Sequence, residues 1–140
     1  MTQIEKVESG STRRNKLCKE IVLAIRALMM QASPDETSKD MAAYIVLALE
    51  MISETVDQAV NAWEKRDYWV KADKYKMEWS WVDRYGAELG DALLAENWAG
   101  VAQNAILIGQ KLQKVEISPN HRLGKPWIGA WQAFKMKYHR

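Results

Sequence analysis

From Met41 to Ile52 the chain is apolar on almost every side that a helix would present. Met41, Tyr44, Ile45, Ala48, Leu49 and Ile52 form one stripe at helical spacing. Ala43, Val46, Leu47 and Met51 fill the opposite side, and only Glu50 interrupts it. A surface helix buries one face, so a helix apolar on both faces needs cover on both, from its own bundle or from a second subunit. That requirement points to an all-α helical bundle, and in a chain of only 140 residues it also points to self-association. The expected assembly is a homodimer or other homo-oligomer, with Val46, Leu47, Met51, Trp69 and Trp81 as the interaction residues.

Apolar spacing near 3.6 and the local punctuation predict four main helices and a short C-terminal helix. Residues 1–11 read as a flexible segment and residues 12–140 as a single helical-bundle domain. Ser11 or Thr12 is expected to cap the first helix, which runs toward Gln31 on Leu17, Ile21, Ala24, Ile25 and Leu28. Ser33, Pro34 and Glu36 have the order of an N-cap, a first helical residue and the far arm of a capping box, opening a second helix that continues to Lys65. A turn follows between Lys65 and Asp73. The third helix resumes from Asp73 on Tyr75, Trp79, Val82, Gly86, Leu89 and Leu93, where Gly86 and Gly90 let another backbone come close. Asn97 caps a fourth helix carrying Trp98, Val101, Ala105, Ile108 and Leu112, predicted to form an antiparallel hairpin with the third. Glu116 to Lys125 reads as a loop, and Pro126 as the start of the last helix, with Trp127, Ala130, Trp131, Phe134 and Tyr138 on its stripe.

Composition removes several function classes. The single cysteine, Cys18, leaves no intrachain disulfide and no cysteine cage for a metal. No apolar run has the length of a transmembrane helix, and Met1 to Gly10 lacks the apolar core of a signal peptide, so a cytoplasmic location with no membrane partner is expected. Lys and Arg number 20 against 18 Asp and Glu, a net +2 that excludes a polycation. The charge is nevertheless uneven. Asp35 to Glu64 holds seven acids and only Lys39, while Glu116 to Arg140 holds one acid and the basic residues Arg122, Lys125, Lys135, Lys137 and Arg140. Those five cations are candidate nucleic-acid contacts, since bases can stack on nearby Trp127, Trp131, Phe134 or Tyr138. The same aromatic residues keep helical spacing, which equally suits packing on a core.

Glu50, Glu54 and Asp57 share one helical face, and Glu88 and Asp91 share another. Brought together, these five acids are a candidate magnesium set, because hard divalent cations prefer oxygen ligands. Their spacing resembles the acidic motifs of the all-helical nucleotide pyrophosphohydrolases related to MazG. The resemblance implies magnesium-dependent hydrolysis of a nucleoside triphosphate. Glu50 and Glu54 would then stand for one acidic motif, and Glu88 and Asp91 for its Glu-x-x-Asp element. The first pair is one residue wider than the family's Glu-x-x-Glu. Counted from Met41, Glu50, Glu54 and Asp57 fall at about 180°, 220° and 160° on an ideal helix, against about 40° for the inward stripe. The acids are therefore expected on a solvated face.

Other chemistry has less support. His121 and His139 have no partner at zinc spacing, and Cys18 has no identifiable acid–base partner, so a structural thiol is expected. There is no nucleophile elbow and no phosphate-binding loop. Trp63, Trp79 and Trp98 read as packing residues. The function expected from these features is a noncatalytic helical interaction or scaffold module with a protein partner and no cofactor. A magnesium-dependent pyrophosphohydrolase and a nucleic-acid-binding accessory protein are the alternatives.

Overall fold

The computed structural model describes residues 9–138 and is all-α, with no strand among the described residues. The helical segments are α1 (Gly10–Met29), α2 (Glu36–Lys65), α3 (Trp69–Trp79), α4 (Trp81–Leu94), α5 (Trp98–Lys111) and α6 (Ala130–Tyr138). α3 and α4 meet at Ser80 as one bent helix, so the described residues form four main helices and a short C-terminal one. The bend has a local cause. The Ser80 hydroxyl donates to the Met77 carbonyl at 3.1 Å, competing with the backbone ladder, while Trp79 and Trp81 stack on either side.

α2 lies at the centre of the fold, with α1, α3, α4 and α6 all packed against it. Ala42, Ala43, Ile45, Ala48, Leu49 and Ile52 have no exposed surface. This placement explains why the sequence of α2 is apolar nearly all round: its own chain covers it on several sides. α5 packs on α4 and α1. Tyr44 of α2 donates to Glu20 of α1 at 2.8 Å, so a carboxylate buried in that interface keeps a hydrogen bond.

The helix ends correct several expectations. The flexible segment expected over residues 1–11 lies outside the described residues as far as residue 8, while Gly10 and Ser11 are already helical. Ser9, not Ser11 or Thr12, caps α1, accepting from the Thr12 amide at 3.1 Å. Asp35, not Ser33, caps α2. Its carboxylate accepts from the Ser38 amide at 2.9 Å, and the Ser38 hydroxyl accepts in return from the Asp35 amide at 3.2 Å. An anionic cap also meets the positive end of the helix dipole, which favours Asp over Ser here.

α3 starts at Trp69, not at Asp73, because the preceding turn is tight. Asp67 takes φ 61°, and the Tyr68 amide reaches back to the Trp63 carbonyl at 2.9 Å in a Schellman turn. Glu96, at φ 54°, ends α4 in the same way before Asn97 caps α5 as expected. Both turns use an acidic residue where glycine is the usual signal, so they carry little sequence signature.

α6 begins at Ala130 instead of Pro126, after a turn through Gly129 at φ 81°. Its free N-terminal amides are met from α2: Asp40 accepts from the Trp131 amide at 2.9 Å. Gly86 of α4 faces Leu49 of α2, and Gly90 faces Val46 of α2 and Phe134 of α6, side chains and not backbone. A Cβ on Gly86 would lie 3.6 Å from Leu49, and one on Gly90 would lie 3.7 Å from Val46, both ordinary contacts.

Candidate functional site

The five acids of the candidate magnesium set do not converge. Glu54 and Asp57 are exposed on α2 and Glu88 on α4, each on a surface away from the core. Glu88 is paired with Arg84 at 3.5 Å. Only Glu50 and Asp91 approach the same place, a cavity of about 250 Å³ between α2, α4 and α6, with Asp83 also on its wall. Glu50 is held there by Lys137 of α6 at 3.0 Å. Among the described residues no group of three or more His, Cys, Asp or Glu side chains is placed to hold a metal ion. Glu54 and Asp57 of α2 and Glu88 of α4 are directed to solvent, and α4 meets α2 at Gly86 and Gly90, against Leu49 and Val46, instead of through Glu88.

The C-terminal cations are also dispersed. Arg122 and Lys125 are exposed in the loop before α6, Lys137 is engaged with Glu50, and Lys135 lies over Trp131 at 5.4 Å. Arg140 and His139 lie outside the described residues. The aromatic stripe faces inward: Trp127 and Phe134 are buried, and Trp131 is half-buried with Lys39 over its ring. Tyr138 is the one member of the stripe with a substantially open ring. The stacking surface imagined beside these cations is thus mostly spent on holding α6 against α2.

The interaction residues divide in a similar way. Val46 is buried under α4 by its own chain, so it needs no second subunit to cover it. Leu47 and Met51 are half-buried, and the Met51 sulfur accepts from the Arg13 guanidinium at 3.3 Å. Trp81 is half-buried and stacks on Trp79 with ring centroids 6.2 Å apart. Trp69 alone is open, at 53% exposure. It lies in the stretch from Lys65 to Asp73 expected as a turn. Tyr68, Val70 and Met77 are exposed as well, and Val70 (84%) and Met77 (78%), seven residues apart, share the outer side of α3. Of the eleven residues of α3 only Ala72 is buried.

Two buried polar groups complete the picture. Burial pushes the Cys18 thiol up to about 11, with the Arg14 guanidinium opposing the shift, so the thiolate needed for nucleophilic chemistry is disfavoured. Arg14 is itself buried in α1, its guanidinium 5.2 Å from the Tyr75 ring of α3, a contact between distant segments that no spacing rule in the sequence signals. His121 is exposed in its loop and accepts from the Leu123 amide at 3.2 Å, a purely local role.

No family model, curated protein or solved structure matches this chain. What can be stated rests on the geometry: a small all-helical domain, with no metal-binding cluster among the described residues and no described helix long and apolar enough to cross a membrane.

Proposed function

We propose that this chain is a noncatalytic helical interaction module that self-associates through the outer face of α3. The observation that carries the reading is the imbalance of that helix. It presents Trp69, Val70 and Met77, with Tyr68 at its N-terminus, and buries Ala72 alone. Isolated exposed apolar residues are ordinary on a protein surface, but large ones gathered on one helix mark a contact site. Tryptophan and tyrosine are also the residues that contribute most at protein contacts, because a large apolar ring is joined to a polar group.

A second copy of the chain is the favoured partner because of the rim. Arg66, Asp67, Lys71, Asp73 and Lys74 are exposed among these residues and carry both signs of charge. A two-fold contact places each patch against a rotated copy of itself, which a mixed rim accommodates and a rim of one sign would oppose. Light scattering over a concentration series tests the reading. The wild-type mass is expected to rise toward twice that of the chain, and Val70→Asp with Met77→Asp to hold it at one chain mass with unchanged helicity. A wild type that stays at one chain mass to high concentration contradicts self-association. Equal dimerisation by the double variant contradicts the choice of face.

A further inference from the structure

We infer that the seam between α1 and the end of α5 is a binding face for single-stranded nucleic acid, with Lys19, Arg26, Lys111 and Lys114 as its phosphate contacts. The charge on this side of the molecule is segregated. α1 carries Arg13, Arg14, Lys16, Lys19 and Arg26 against one acid, Glu20, and that acid is buried against Tyr44. From Trp98 to Val115 the chain contains no acidic residue at all. Lys19, Arg26, Lys111 and Lys114 are exposed, and none of them forms an ion pair among the described residues. The paired lysines lie elsewhere: Lys39 meets Glu36 and Glu96, Lys76 meets Glu64, and Lys137 meets Glu50.

The four cations border two neighbouring hollows. Lys19, Lys111 and Lys114 border a hollow of about 400 Å³, and Arg26 borders a second of about 230 Å³. Leu112 and Val115 line both, so the two hollows are neighbours along the seam. Trp79 lines the larger hollow, and its indole N–H is buried without a hydrogen-bond partner among the described residues. Asn15 adds an amide to the same wall, and Glu116 is its one carboxylate.

Cations tracking a groove with an aromatic ring at its wall are the chemistry by which unpaired strands are held: phosphates are neutralised along the edge while bases reach the ring. A duplex keeps its bases stacked inside and could use only the cations. This face is also separate from the C-terminal cations, whose neighbouring aromatic rings are mostly buried.

Fluorescence anisotropy of the full chain with a labelled single-stranded oligonucleotide of about twelve nucleotides, as DNA and as RNA, tests the assignment. Wild-type affinity should fall steeply with salt. Replacing Lys19, Lys111 and Lys114 together by Gln should weaken low-salt binding at least tenfold. It should also flatten the plot of log affinity against log salt by about two, since each contact to a single strand adds roughly 0.7 to the slope. Lys125→Gln with Lys135→Gln and Lys137→Gln should leave affinity and slope within about twofold of wild type. The inference is overturned if the wild type does not bind, if the seam variant binds as the wild type does, or if a duplex binds as tightly as the single strand. It is equally overturned if polyglutamate of the same length competes as well as unlabelled oligonucleotide, which would make the face a site for acidic protein.

Discussion

α2 and α3 are both rich in large apolar residues, yet the fold treats them in opposite ways. α2 is covered by four other helices and leaves no large apolar side chain among the substantially exposed residues, whereas α3 leaves Trp69, Val70 and Met77 open and buries only Ala72. The contrast shows that an apolar surplus in a sequence is not by itself an interface. A helix apolar all round can be the axis of its own bundle, and the surface left for a partner can belong to a shorter and more mixed segment. Whether Val46 is available is decided by the packing of α4 against α2, which composition does not specify.

The largest effect should come from the axis. Leu49→Ala or Ile52→Ala removes a fully buried side chain and should cost about 2–5 kcal/mol of stability in denaturant unfolding. Val70→Ala, in contrast, should change the stability of the isolated chain by less than about 0.5 kcal/mol. Comparable losses at both positions would mean that α3 is packed as α2 is.

Asp40→Ala comes next. It deprives the α6 N-terminus of its acceptor for the Trp131 amide and should cost about 1 kcal/mol, the usual range for a lost cap. Gly86→Ala and Gly90→Ala should stabilise by up to about 1 kcal/mol each, since an added Cβ meets only ordinary contacts and helix propensity improves. A loss at either glycine would show that α4 approaches α2 more closely than the structure has it.

A smaller and separate effect is expected from the thiol. Cys18 should resist alkylation at about pH 8 until the chain unfolds. Its raised value also has a defined sign for stability. The folded state holds the proton more tightly, so the contribution is full below the ordinary thiol range and is lost as pH rises toward about 11. Rapid labelling of the native chain at pH 8 would contradict this burial.

Much of the fold is legible in the sequence, for specific reasons. The long α1 and α2 stripes are many residues deep, so periodicity survives local noise; Leu17, Ile21, Leu49 and Ile52 are all buried where spacing placed them. The Asn97 cap was legible because an amide side chain before an apolar run has few other roles. The start of α3 was not, because its turn is made by Asp67 in a left-handed conformation and not by glycine or proline. The α6 start was missed for a different reason: its cap is Asp40, distant in sequence. The candidate surfaces followed the same rule. Trp69 is exposed, as is Val70 within the expected turn, while Met77 falls on the expected third helix without belonging to its stripe. The cations of α1 and α5 were missed as a group because only the tertiary fold sets Lys19 beside Lys111 and Lys114.

Self-association through α3 is tested most directly by cysteine cross-linking, since Cys18 is buried and a new surface thiol would be the reactive one. Val70→Cys and, as a control on exposed α5, Gln103→Cys would be treated with a short bismaleimide in dilute solution. The α3 face predicts covalent dimer from Val70→Cys and essentially none from Gln103→Cys. Equal yields from the two, or no dimer from Val70→Cys with its thiol shown to be reactive, would contradict it.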